Sequence, residues 1–452
     1  MPVPGRAPHV LYVAWGFPPC RGGGVYRALA TANGFVRAGC EVTVLTADRE
    51  TFTRFTGADM SLEALVDPAV KIIRVPFEWP VLETDVRRWS ALRALSPGIW
   101  RRLRARMDKR QFPEVGYGPW RRPLEAAAVV IHSETPVDLV VATANPNVDF
   151  TVADRLHRDA GVPYVMDYRD AWMLDVFDGQ LLHHANGRVA RLEARLLQGA
   201  NEVWFVNEPI CDWHRTRHPK IADRMHVVAN GYDPEFAPHP RAAARASDLP
   251  LTFGYIGTVS AKVPLREFTE GWSLALRQGG PMTAAKAQIW GYLGFYSTPS
   301  PHLLRLIQDH EDEGLTYAGP MAKQRVGEVY DTFDVALLIL GSGRYVTSGK
   351  VYEYTASALP IVSVHDPGNA AAEVLRDYPL WFPVTDLEPE SVARALGAAA
   401  SAARYATPET REACRAFSEQ YSRELQLRPR MQALVESIAV ADATSPSLER
   451  ST

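Results

Sequence analysis

The sequence predicts an α/β protein built from two doubly wound parallel sheets with helices between the strands. Two observations carry this. Short apolar runs rich in β-branched and aromatic residues alternate with helical segments along almost the whole chain. That rhythm breaks once, near the middle, and then restarts. A chain of 452 residues, at roughly 100–200 residues per domain, suffices for two or three separate cores.

The first element is "HVLYVAWGF", an apolar run of the kind that forms a strand buried on both faces. The segment "YRALATANGFVRAGC" reads as a helix, with Leu29, Phe35 and Val36 at core positions, and "EVTVLTA" is a second strand. Strand, helix and strand in about 40 residues make a βαβ unit. The pattern returns as "VDLVVATA", the helix "NVDFTVADRLHRDAG" and "VPYVMDY". A helical "HHANGRVARLEARLLQGA" follows, then "NEVWFVN" and "MHVVANGYD". The stretch "ANGYDPEFAPHPRAAARASDLP", rich in Pro, Ala and charge, reads as an interdomain linker. Beyond it, "LTFGYIGTVS", "AAKAQIWGYL", "LTYAGPM", "DVALLIL", "LPIVSVHD" and "LWFPV" are strands with helices between them. The tail "SLERST" is polar and reads as loose. The expected boundaries are 1–235 for an N-terminal domain, 236–250 for the linker and 251–414 for a C-terminal domain. A C-terminal helix, 415–440, is expected to pack back on the first domain.

Bulk properties narrow the function. With 46% hydrophobic and 22% charged residues, the chain has ordinary globular composition. A net charge of −3 gives no basic field for nucleic acid. The four cysteines, Cys20, Cys40, Cys211 and Cys414, are scattered without a CxxC pair, which reads as reduced thiols in a cytoplasmic protein. Neither an apolar signal core nor an apolar run near the ~20 residues of a membrane span is present.

Two stretches carry chemistry. "PPCRGGGVYR", residues 18–27, puts three glycines between a strand and a helix. It fits neither familiar nucleotide fingerprint, and by itself it leaves a phosphate cradle, a hinge and a tight turn all open. "VTSGKVYEYTASALPIV", residues 346–362, is more informative. Ser348 and Gly349 stand where a helix begins, and free backbone N–H groups with a positive dipole end suit phosphate there. Gly349 permits close approach, Lys350 adds charge, and Glu353 is placed to accept from two neighbouring sugar hydroxyls. The competing reading is an ordinary capped helix with an exposed Lys and Glu.

"GKVYEYTASALPIV" resembles the donor-binding helix of family 4-type glycosyltransferases of the GT-B fold. "VVANGYD" resembles that family's Asn-Gly-x-Asp stretch, carried by Asn230, Gly231 and Asp233, and "FGYIGTVSAK" resembles the first strand and loop of its donor domain. "FPEVGYGPW", "VVATANPN" and "VPYVMDYRDAW" resemble a branch with an Arg-Asp-x-Trp pattern. The similarity runs from about residue 9 to residue 435. It implies two facing Rossmann-like domains with a cleft between, and a retaining, metal-independent transfer of a sugar from a nucleotide-diphosphate sugar.

The resemblance also assigns residues. Donor binding falls to Gly23, Gly24, Thr258, Lys262, Met321, Ser348, Gly349, Lys350 and Glu353. The acceptor side falls to Arg21, Asn145 and Asn147, and catalysis to Arg169 and Asp170. Arg27 is a second source of charge beside the glycines, or packs on its own helix. No metal site and no cofactor beyond the nucleotide-sugar co-substrate are expected. The chain departs from the family at Tyr345, where many members carry a first glutamate. It departs again at Thr258, where an arginine is common, and at Arg169, where a histidine is common. These departures bear on the sugar more than on the fold.

"IWRRLRARMDKRQF", residues 99–112, reads as a basic amphipathic helix with Ile99, Trp100, Leu103 and Met107 on one face. Such a helix either covers the first sheet or lies on anionic lipid. The expected activity is glycosyl transfer to a small-molecule acceptor in the cytoplasm. A membrane-surface enzyme acting on a lipid-linked or polysaccharide acceptor through residues 99–112 is the alternative. A non-catalytic sugar-nucleotide binder and a nucleotide-sugar epimerase of the same architecture are competing classes.

Overall fold

The run His9–Val13 is buried at every position and forms β1, as a strand covered on both faces by helices must. The computed structural model describes residues 6–236, 249–294, 299–321, 325–341 and 343–444. The chain divides into two compact units. Six further strands join β1 in the first: β2 Glu41–Ala47, β3 Lys71–Val75, β4 Leu139–Ala144, β5 Tyr164–Tyr168, β6 Glu202–Phe205 and β7 Met225–Val227. They pair in parallel in the order β3-β2-β1-β4-β5-β6-β7. The second unit has β8 Thr252–Ile256, β9 Lys286–Trp290, β10 Leu315–Gly319, β11 Val335–Ile339, β12 Ile361–Val364 and β13 Trp381–Pro383, in the order β10-β9-β8-β11-β12-β13 and again all parallel.

Every strand expected from the sequence is present within the quoted runs, and β3 is an addition. It lies at the sheet edge, with Lys71 exposed and Ile72, Ile73 and Arg74 only half-buried. An edge strand needs no continuous apolar run, so its sequence signal is weak. Residues 237–248 of the expected linker and the tail 447–452 lie outside the described residues.

The first unit comprises residues 1–174, 181–228 and 427–452, and the second comprises 175–180 and 229–426. Leu427, Met431, Leu434 and Ile438, from the helix Arg423–Thr444, are buried in the core of the first unit beside Val10 and Phe35. The Asn230–Asp233 motif meets the turn at 421–423. Gly231 has φ +62°, and a Cβ there would lie 2.6 Å from the Tyr421 carbonyl oxygen. Arg423 donates to Asp233 through Nε at 2.7 Å. Glycine is therefore required on two counts, left-handed backbone and close approach.

The helix Val25–Arg37 buries Arg27 among apolar neighbours. Its guanidinium is neutralised across the sheet by Asp167 of β5, with Nη2–Oδ1 2.7 Å and Nε–Oδ2 2.9 Å, and it also donates to the Val228 carbonyl at 2.9 Å. Thr143 donates to the same carboxylate at 3.1 Å. Arg27 therefore packs inward and is 1% exposed, so it belongs to the core rather than to the glycine loop.

Candidate functional site

In open parallel sheets, ligands bind beyond the carboxyl ends of the strands, and both units gather their candidate residues there. In the first unit, Arg169 and Asp170 directly follow β5. Arg169 donates through Nε to the Ala144 carbonyl at 2.6 Å and through Nη2 to the Asn145 carbonyl at 2.7 Å. These bonds turn the guanidinium across the helix start, where a Cβ on Gly24 would stand 1.2 Å from Nη1. Nothing lies within 4 Å of a Cβ built on Gly23. Asn145 donates through Nδ2 to Asp170 at 2.9 Å, and burial raises the Asp170 carboxyl above its ordinary range against the pull of Arg169. Arg21 is exposed, and its backbone N–H reaches the Gly57 carbonyl at 3.2 Å. The structure thus joins Gly24, Arg169, Asp170 and Asn145, and leaves Gly23 open.

Beneath this loop lie three residues that the sequence did not single out. Glu114 accepts from the Asn147 backbone N–H at 3.1 Å, from Asn147 Nδ2 at 3.1 Å and from the Val148 N–H at 3.0 Å. Asp149, fully buried, accepts from the Trp15 N–H at 2.8 Å. Burial pushes Glu114 up to about 7, its three hydrogen bonds notwithstanding, and holds Asp149 well above the usual carboxylate range. The indole of Trp15 meets Phe52, Phe77, Trp79 and Tyr117 edge-on at 5.4–6.0 Å. Beside Trp79, a cavity of about 310 Å³ opens between Phe55, Trp100, Arg54 and Arg88. "FPEVGYGPW" was visible as a motif, but no periodicity marks Glu114 within it.

In the second unit, Ser348 caps the helix Gly349–Ala356, its hydroxyl accepting from the Lys350 N–H at 3.4 Å. Gly349 is exposed, with open space where a Cβ would stand. Lys350 runs across Gly257 at the end of β8, so closely that a Cβ there would lie 1.8 Å from its Cε. Its ammonium sits 5.4 Å from the Tyr255 ring centroid. Gly257 has φ +148°, so glycine is needed there for backbone and space together. Glu353 accepts from the Tyr330 hydroxyl at 3.3 Å, and Tyr354 accepts from the Ile256 N–H at 3.0 Å.

Thr258 is exposed, its carbonyl accepting from Tyr255 at 2.9 Å. Lys262 is exposed, with its ammonium 4.0 Å from the Phe177 ring centroid, and its carbonyl lies 2.9 Å from where a Gly341 Cβ would be. Met321 packs on the apolar cluster that contains Tyr330 and Tyr354. Tyr345, at the position of the missing glutamate, bonds through its N–H to the Val176 carbonyl at 3.3 Å and packs its ring against Gly179. Gly23 and Gly24 belong to the first unit, and the other candidate donor residues to the second.

The helix Pro97–Gln111 contradicts the expected single apolar face. Trp100 lines the 310 Å³ cavity and stacks on Arg93. Asp108 is buried, accepting from the Gly116 N–H at 3.0 Å and pairing with Arg104 at 2.9 Å. Ile99, Leu103 and Met107 face outward, 54%, 48% and 58% exposed. The polar contacts of Asp108 fix the inner face, so the apolar residues four apart are left outside.

Residues 22–231 match the family described as "Glycosyl transferase 4-like domain". No curated protein matches the chain by sequence. Among solved structures, a glycosyltransferase from Rickettsia africae ESF-5 is similar at TM-score 0.63 and 13% identity, covering 96% of this chain and 99% of that one. Anabaena Alr3699/HepE in complex with UDP and glucose is similar at TM-score 0.56 and 15% identity, covering 95% and 99%. A putative UDP-N-acetylglucosamine 2-epimerase from Listeria monocytogenes is similar at TM-score 0.55 and 8% identity, covering 97% and 98%. At such identities these structures establish a common fold.

Proposed function

Taking the chain as a family 4-type glycosyltransferase of GT-B architecture, as the domain match over residues 22–231 and its two parallel sheets show, we propose that it transfers a sugar from a nucleoside-diphosphate sugar to a small-molecule acceptor. The anomeric configuration is retained, and no metal is used. The observation that carries this reading is the start of the helix Gly349–Ala356. An open glycine amide, a capping serine, Lys350 held across Gly257 and the carboxylate of Glu353 come within two turns of one another. Amides and ammonium suit a diphosphate, and the carboxylate suits a ribose diol. The UDP bound by Anabaena HepE supports a nucleotide donor for this chain too.

In this reading, the acceptor oxygen attacks the anomeric carbon on the face from which the diphosphate leaves. The sugar–phosphate C–O bond breaks, the new C–O bond forms, and the acceptor proton passes to the departing phosphate oxygen. The protein supplies charge against the diphosphate, through Lys350, Lys262 and the Ser348–Gly349 amides. It orients the acceptor through Arg169, Asp170, Asn145 and the cavity beside Trp79. Among the described residues, no group of three His, Cys, Asp or Glu is placed to hold a metal ion. Four buried, unpaired thiols fit a reducing compartment.

Thermal-shift and calorimetric screening with UDP, GDP and dTDP, followed by product detection with the matching sugar nucleotide, tests the reading. Transfer is expected. Binding without turnover would make the chain a sugar-nucleotide binder, and an epimerised donor would make it an epimerase.

One observation favours a second reading, a membrane-surface enzyme. The outward row Ile99, Leu103 and Met107 is flanked by exposed Arg101, Arg102, Arg106, Lys109 and Arg110, which is the pattern of a helix lying on anionic lipid. Among the described residues, no helix is long and apolar enough to cross a membrane.

A further inference from the structure

We propose that Glu114 is a positioning residue: from the segment between β3 and β4 it grips the Asn147–Val148 turn, and through that turn it holds Arg169 and Asp170 in place for transfer. The proposal rests on the reading of Arg169 and Asp170 as acceptor-side residues.

The grip is unusually complete for one side chain. One Glu114 oxygen takes two N–H groups of Asn147 and the other takes the N–H of Val148. The turn continues into its two functional neighbours. The Ala144 and Asn145 carbonyls hold the Arg169 guanidinium, and the Asn145 amide holds Asp170. Among the described residues, no Arg, Lys or His forms an ion pair with Glu114. A largely buried carboxylate without a counter-charge is costly, and a neutral amide would turn an NH₂ group toward at least one of these N–H donors.

Other ionisable groups face this site. Asp149 lies in the same turn region, Tyr117 follows in the Glu114 loop, and Arg169 lies beyond the turn; Cys20 acts on Tyr117. Tyr117 is driven up by burial, with Glu114 and Asp149 adding to it. Burial lifts Glu114 itself to about 7. Protonation converts one acceptor oxygen to an O–H that opposes the N–H donors, so the grip loosens as pH falls through about 7. The linkage has a definite sign. Between the ordinary 4.5 and about 7, the folded chain binds the proton more tightly than the unfolded one. Glu114 therefore makes stability fall as pH rises through that window.

The test uses the full chain, wild type and Glu114→Gln, at pH 6 and pH 8. Hydrogen exchange of the Asn147 and Val148 amides, corrected for intrinsic rates, is measured alongside UDP release from UDP-glucose. At pH 8 the wild-type amides should exchange about tenfold more slowly than the same amides of Glu114→Gln. The variant should lose ~10–100-fold in kcat at pH 8 and lose the acid limb near pH 7. UDP affinity should stay within about twofold, since the candidate donor grip lies in the other unit. A merely structural residue would lower the melting temperature without moving the acid limb. Exchange needs no substrate, so wild-type protection in Glu114→Gln overturns the grip whatever the donor is. Lost protection with full turnover in both Glu114→Gln and Arg169→Ala overturns the acceptor-side reading beneath it.

Discussion

The guanidinium of Arg169 occupies the space that a side chain on Gly24 would need, its Nη1 standing 1.2 Å from where that Cβ would be. Gly24 has ordinary helical backbone angles, φ −73° and ψ −14°, so a side chain there is opposed by the guanidinium of Arg169 and not by conformation. Of the three consecutive glycines, this one is tied to a candidate catalytic residue.

Gly24→Ala should therefore push Arg169 off its carbonyl anchors. Turnover should fall by about 100-fold, the scale of a 1 Å misplacement, while nucleotide affinity stays unchanged. Gly23→Ala should leave turnover intact and stability within ~0.5 kcal/mol. Paired measurements of kcat, melting temperature and nucleotide Kd check this, and equal effects of the two substitutions would count against the arrangement.

Nucleotide binding should depend on Glu353 and on the Gly257–Lys350 crossing. Glu353→Ala is expected to weaken nucleoside diphosphate binding by ~1–3 kcal/mol. Glu353→Gln, which keeps an acceptor for Tyr330, separates ligand contact from internal support. Gly257→Ala should displace Lys350 and weaken the diphosphate more than the nucleoside. Calorimetry with UDP and uridine reads both effects, and unchanged affinities would remove this helix start from the site.

Asp167→Asn should destabilise the first unit by ~3–5 kcal/mol, because it leaves Arg27 charged and buried without its counter-ion. Chemical denaturation measures the loss. Nucleotide binding in the folded fraction should persist. A change below ~1 kcal/mol would mean that solvent reaches this pair.

Turnover should survive EDTA, with Lys350, Lys262 and the helix amides supplying the electrostatic work a metal would otherwise do. Loss of activity with chelator, restored by magnesium or manganese, would overturn metal independence.

On the small-molecule reading, the chain should stay in the supernatant with anionic vesicles. Salt-sensitive co-sedimentation that is lost in Leu103→Asp, or in Arg102→Glu with Arg106→Glu, would make the membrane-surface reading the one that stands.

Much of the architecture was legible in the linear sequence. Among the described residues, twelve of the thirteen strands fall within runs that the sequence marks, most plainly those buried at every position, His9–Val13, Leu139–Ala144 and Val335–Ile339, whose burial on both faces makes them almost wholly apolar. The helix start at Ser348 was equally legible, since a cap and a following glycine are local chemistry. The edge strand Lys71–Val75 was not, because Lys71 and Arg74 interrupt its apolar run. Tertiary structure alone decided which side chains meet. Arg27 and Asp167 are 140 positions apart, and Gly24 lies 145 positions from Arg169. Glu114 reaches a turn 33 residues on, and Gly257 makes room for Lys350. Strand order brings these pairs together, and strand order leaves no periodic mark on the chain. The same holds for the helix Pro97–Gln111: its spacing put Ile99, Trp100, Leu103 and Met107 on one face, and only the tertiary contacts separated Trp100, turned to the cavity, from the other three, turned outward.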